Sequence, residues 1–128
     1  MEPEILLSIK PKDIKRGDIW RINLDPTIGT EIKKSRPCIV VSSNSVGNLP
    51  IKLVAPITGW NSKFNNSIWF VKITPDNKNN LTKESAVDAL QLRGVDIQRF
   101  VGNQRVGYLS QDTMEEIITA IAAVIEYQ

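Results

Sequence analysis

Apolar and polar residues nearly alternate over residues 18–24, where Ile22 and Leu24 share a parity with Trp20. That period of two predicts a half-buried strand. Residues 38–41, Cys-Ile-Val-Val, are apolar on both parities and rich in β-branched side chains, which predicts a strand covered on both faces. Pro37 can open it, since a first position need not donate a ladder hydrogen bond. Residues 51–57 read as a third strand in which Pro56 implies a bulge or an edge, and residues 68–73 as a fourth, closed by Thr74-Pro75-Asp76-Asn77. Residues 85–92 suggest one or two short strands, 96–100 a single helical turn, and 105–108 a last short strand. Between these lie a loop from Asp25-Pro26 through the charged residues 31–36, a turn over 44–50, and a polar loop over 59–66.

The pattern changes to a helical one near the end of the chain. Met114, Ile117, Ile118, Ile121, Val124 and Ile125 recur at helical spacing and form one apolar stripe. Ser110 is a good N-cap, Leu109 and Met114 are spaced for a hydrophobic staple, and Asp112, Glu115 and Glu116 suit the positive end of the helix dipole. Several strands ending in one packed helix predict an α+β, mostly β domain built as a small barrel. Residues 1–14, with Pro3 and Pro11, read as an N-terminal extension; residues 15–128 form one domain without internal repeats or linkers.

Composition narrows the function classes. The chain has 128 residues, 41% hydrophobic and 23% charged, which suits one ordinary globular core. A net charge of +2 does not by itself announce a nucleic-acid binder, although Lys33, Lys34 and Arg36 crowd one segment. One cysteine and no histidine disfavour a disulfide or a structural zinc site and fit a reducing compartment. The first residues are acidic where a secretory signal is basic, and no run approaches a membrane span, so a cytoplasmic protein without membrane contact or metal cofactor is expected.

The candidate chemistry lies in two segments. Arg36 stands directly before Pro37, which restricts it to extended geometry and holds its planar guanidinium, a match for phosphate oxygens. A surface arginine ending a loop, or one paired with Glu31, would look the same. Thr58 ends a strand beside Gly59, where a hydroxyl could donate to phosphate or simply serve a turn. Glu31 could take a proton from a ribose hydroxyl or pair with Lys33, Lys34 or Arg36. Trp60 and Phe64 lie in a polar loop, where aromatic faces stack on unpaired bases or cover a protein interface. Gln91 could read a base edge or merely decorate a strand, and Cys38 reads as a small buried hydrophobe.

Five separated blocks in order make the chain resemble the MazF/PemK (Kid-like) toxins of type II toxin–antitoxin systems. They are Arg16-Gly17-Asp18-Ile19-Trp20; Asp25-Pro26 with Gly29-Thr30-Glu31; Arg36-Pro37; Ala55-Pro56-Ile57-Thr58; and residues 85–93 followed by 96–100. The resemblance implies an SH3-like or CcdB-like barrel with a C-terminal helix, acting as a homodimer. It implies metal-independent cleavage of single-stranded RNA, by 2′-hydroxyl attack, to 2′,3′-cyclic phosphate and 5′-hydroxyl ends, and a cognate antitoxin as partner. Arg36 and Thr58 fall on the family's catalytic positions, with Glu31 as the best candidate for the proton acceptor. Thr30, Lys33, Lys34, Trp60, Phe64 and Gln91 are expected at the RNA. Because the arginine pKa lies above about 12, Arg36 is expected to clamp charge and not to carry protons. Two rival functions share the fold: a non-enzymatic poison of gyrase, and an inactive barrel that binds RNA or a peptide.

Overall fold

The computed structural model describes residues 9–127. Among the described residues there are seven strands: β1 (Asp18–Asn23), β2 (Ser35–Val40), β3 (Ile51–Gly59), β4 (Phe70–Ile73), β5 (Ser85–Asp88), β6 (Arg93–Asp96) and β7 (Gly107–Tyr108). They pair in the order β4-β5-β3-β2-β1-β7, with β6 also on β3, and every pair is antiparallel. The sheet curls into a half-barrel, and one helix, α1 (Gln111–Val124), packs on it. This is the mostly β, α+β barrel with a C-terminal helix that the sequence led us to expect.

Both faces of the sheet are buried, which explains why residues 38–41 are apolar on both parities. Ile19, Ile39, Ala55, Ile57, Val71 and Val87 form one core with Met114, Ile117 and Ala120 of α1. Trp20, Ile22, Leu24, Cys38, Val40 and Val54 form the other with Val95 and Phe100, and Trp20 meets Phe100 edge-on at 5.6 Å. Each fully buried aliphatic side chain contributes about 1.5–3 kcal/mol. Ile14 is buried in this second core and Ile9 packs against it, so the last residues of the expected extension cover part of the barrel. Residues 1–8 of that extension lie outside the described residues.

Strand β3 organises the half-barrel because it serves two neighbours on one edge. Its residues 51–54 pair with β6 and its residues 57–59 with β5. Pro56, which has no N–H to donate, stands at this change of partner. The strand is central, so Pro56 marks a switch between neighbours and not an outer edge.

Three local details differ from the sequence expectation. β6 was not anticipated: its one buried apolar residue is Val95, and Gly94 lies bare beside Ile51, so no alternation signals it. β2 begins at Ser35, which puts Arg36 inside a strand and not at a loop's end. Ser110 caps α1 as expected, its Oγ accepting from the Thr113 N–H at 3.2 Å, but Ile118 in the helix and Ile125 just past its end are exposed, and Ala120 is buried. At β7 the backbone of residues 78–79 passes so close that a Cβ on Gly107 would lie 2.5 Å from the Lys78 carbonyl oxygen.

Candidate active site

The register of β2 on β3 runs Cys38↔Pro56, Ile39↔Ala55, Val40↔Val54. Continued two residues outward, it sets Arg36 across from Thr58, and antiparallel partners share a face. The ladder stops at Cys38 and the strand ends part. Arg36 and Thr58 together line the groove of about 390 Å³ at this end of the sheet, with Arg21, Lys34 and Lys83 as further cations and Ser35, Thr82 and Ser85 as hydroxyls. Among the described residues no carboxylate lines it.

Arg36 is half-buried and positioned at one end only. Its Nε donates to the Lys33 carbonyl at 3.1 Å, while no ion pair among the described residues engages its guanidinium. The terminal N–H groups therefore remain to hold an anion. Arg21 is tethered similarly, its Nη1 donating to the Ser35 carbonyl at 3.2 Å.

Glu31 and Gln91 line a second groove, of about 490 Å³, with Leu24, Pro26, Ile32, Pro56 and Arg93. The two grooves abut along β3, since Pro56 lines one and Ile57 and Thr58 the other. Glu31 forms none of the ion pairs open to it; its Oε1 accepts the Ile28 N–H at 2.8 Å and folds the loop tip. Gln91 is more committed than a base-reading residue need be. Its Oε1 accepts the Ile32 N–H at 2.6 Å and its Nε2 donates to Asp88 Oδ2 at 3.1 Å.

The loop carrying these groups is closed at its neck. The Leu24 N–H donates to the Lys34 carbonyl at 3.0 Å, and the Lys34 N–H to Asp25 Oδ1 at 3.1 Å. Those bonds hold Lys34 at φ 70, a left-handed conformation that a non-glycine residue adopts only under constraint. Gly29, at φ 60, supplies the positive φ that the loop tip requires. Thr30 and Lys33 are exposed on this loop.

Trp60 and Phe64 line neither groove. They build an aromatic cluster: Phe64 stacks on Phe70 at 3.7 Å, Trp60 meets Phe64 edge-on at 5.7 Å, and the Lys72 ammonium lies 5.1 Å from the Trp60 ring centre. Their faces are thus partly used within the chain. Burial shifts two groups near the site. Burial pushes the Cys38 thiol up to about 12, against the pull of Arg93 and Arg21. Burial likewise raises the Asp88 carboxyl above its ordinary value, opposed by the hydrogen bonds from Leu90 and Gln91.

The groove residues that motif reasoning passed over are Arg21, Lys83, Ser35 and Thr82. Arg21 is a polar position of an alternating strand and carries no separate signal. Lys83 had one clue, a glycine directly after Thr58 that leaves room for a neighbour. Among the described residues no three His, Cys, Asp or Glu side chains come together in a way that could hold a metal ion. No helix among them is long and apolar enough to cross a membrane.

Comparison with known proteins follows the same lines. The family model for the PemK-like, MazF-like toxin of type II toxin–antitoxin systems matches residues 15–125. Endoribonuclease PemK of Escherichia coli is 40% identical over 52 residues, covering 38% of this chain and 38% of that protein. The match thus spans well under half of that relative's length. Among solved structures, MazF from Deinococcus radiodurans has a TM-score of 0.72 at 18% identity, covering 88% of this chain and 96% of that one. An endoribonuclease in complex with its cognate antitoxin, from a mycobacterial species, has a TM-score of 0.70 at 19% identity, covering 90% and 97%. At these identities the two structures speak to the fold.

Proposed function

The chain belongs to the PemK-like, MazF-like toxin family of type II toxin–antitoxin systems, and on that premise we propose that it is an endoribonuclease cleaving single-stranded RNA in the cytoplasm. The observation that carries the reading is the convergence of Arg36 and Thr58 on one groove rich in cations and free of carboxylates. A phosphodiester entering that groove meets a guanidinium fork and a hydroxyl donor, both suited to non-bridging oxygens.

The reaction follows from those groups. The ribose 2′-hydroxyl attacks phosphorus; the new 2′-oxygen–phosphorus bond forms as the bond to the 5′-oxygen breaks, and that oxygen takes a proton from solvent water, giving a 2′,3′-cyclic phosphate and a 5′-hydroxyl. Charge accumulates on the equatorial oxygens, where Arg36 acts as an electrostatic clamp and Thr58 as a second donor. Glu31, in the abutting groove, is the group assigned to accept the 2′-hydroxyl proton. No step calls for a metal ion. Lys34 lines the same groove and Gln91 the abutting one, so both are assigned to the strand, as are Thr30 and Lys33, exposed on the same loop; Trp60 and Phe64 line neither groove and are assigned to bases beyond it.

The partners follow from toxicity. An antitoxin supplying an extended acidic segment would fill the same cationic groove. A second copy of the chain would cover Ile51 and Leu53, which stand exposed on the first half of β3. The decisive experiment maps the ends produced on a long RNA. Arg36→Ala, folded as judged by circular dichroism, is expected to lose about 10²–10³-fold in rate, and wild-type cleavage is expected to persist in excess EDTA. Cleavage at the wild-type rate by Arg36→Ala, or its abolition by EDTA, refutes the mechanism. Poisoning of gyrase without RNA cleavage refutes the function.

A further inference from the structure

The groove of Arg36 and Thr58 contains a lysine that none of the motifs includes. Lys83 belongs to the segment 81–85 that walls the groove through Leu81, Thr82, Lys83 and Ser85. The segment is fastened to the end of β3. Ser85 pairs with Gly59, its Oγ donates to the Lys83 carbonyl at 2.8 Å, and the Trp60 N–H donates to the Glu84 carbonyl at 3.0 Å. A Cβ placed on Gly59 would meet Lys83 Nζ at 3.3 Å and Cε at 3.4 Å, so the ammonium lies over the bare backbone of the residue after Thr58.

The neighbouring acid is engaged elsewhere. Glu84 pairs with Lys72 at 3.6 Å and accepts from Thr74 Oγ1 at 3.2 Å. Among the described residues no carboxylate forms an ion pair with Lys83, and none lines the groove. A compact ammonium that lines the same groove as the Thr58 hydroxyl, with no carboxylate partner among the described residues, suits a phosphate.

Resting on the nuclease reading, we propose that Lys83 grips the same phosphodiester as Arg36 and Thr58. A side chain at position 59 would crowd the ammonium and push it aside by a few tenths of an ångström, which glycine avoids. Lys83 then adds a third point of contact on the substrate phosphate, and it acts from the β3–β5 side while Arg36 acts from β2.

Three variants test this: Lys83→Ala, Lys83→Arg and Gly59→Ala, each checked for an unchanged unfolding midpoint. Lys83→Ala is expected to lower kcat/KM by about 10²-fold, and Lys83→Arg to restore most of it. Gly59→Ala displaces the ammonium without deleting it, so it gives a smaller loss and adds nothing to Lys83→Ala in the double variant. Binding of a non-cleavable 2′-deoxy single strand is read across salt concentrations. Lys83→Ala should reduce the slope of log K on log salt by about 0.7, one phosphate contact. An unchanged slope together with kcat/KM within twofold of wild type overturns the proposal. If the wild-type protein cleaves no RNA, the nuclease reading falls, and the salt slope still decides whether Lys83 binds phosphate.

Discussion

Replacing Gln91 by alanine separates two roles that its position permits. If the side chain only reads a base at the groove, its loss weakens RNA binding and leaves the fold alone. The structure instead ties it at both ends, to the Ile32 N–H at 2.6 Å and to Asp88 at 3.1 Å. A neutral backbone hydrogen bond contributes about 1 kcal/mol and one to a charged carboxylate about 1.5–3. Water reaches the half-buried side chain and replaces part of each, so the net loss is about 2 kcal/mol. For a domain of this size that lowers the melting temperature by roughly 6–10 °C. Gln91→Glu sharpens the test, because it keeps an acceptor for Ile32 but faces Asp88 with a second carboxylate. Burial already raises the Asp88 pKa from its ordinary 3.8. An acid with a raised folded pKa contributes stability that is present below the ordinary value and is lost as pH rises through the folded one. The Gln91→Glu deficit should therefore be small near pH 3.8 and widen above it. Unfolding followed by circular dichroism across pH checks both variants. An unchanged midpoint in Gln91→Ala, with RNA binding weakened, refutes the clasp.

Other perturbations probe separate parts of the argument. Gly107→Ala forces a methyl group to within 2.5–2.7 Å of the backbone at residues 78–79. It should destabilise by about 1–3 kcal/mol, and an unaltered thermal midpoint would contradict that packing. Ser110→Ala removes the helix cap and should lower stability by about 1 kcal/mol in denaturant titration. Cys38, buried with its thiol pushed up to about 12, should resist iodoacetamide at pH 8 and react only on unfolding; rapid native alkylation would show that the core around it opens. Thr58→Ser should retain most of the cleavage rate and Thr58→Val should not, since the hydroxyl and not the methyl group is the donor; equal rates would remove Thr58 from the mechanism.

Much of the fold was legible because it is written in periodicity. Trp20, Ile22 and Leu24 alternate, residues 38–41 are apolar throughout, and Ser110 announces a helix. β6 was illegible for the opposite reason, since its place is fixed by pairing with residues 51–54 and not by its own pattern. At the candidate site, Arg36 and Thr58 were singled out by the family resemblance, since their settings beside Pro37 and Gly59 suit an ordinary loop or turn role equally well. Their meeting depends on a strand register that no local sequence encodes. Gln91 lines the groove beside that of Arg36 and Thr58; its hydrogen bond to Asp88 is local, three residues back, but the one to Ile32 spans 59 residues and could not be foreseen. Trp60 and Phe64 were expected to offer free faces, yet Phe70 occupies one of them.

The exchange of neighbours at Pro56 bears on how this molecule fails. Two ladders borrow a single strand, one on each side of that proline, and both grooves are built along it. Loosening β3 itself would disturb both ladders and both grooves together, so a fault in this one strand reaches every part of the candidate site.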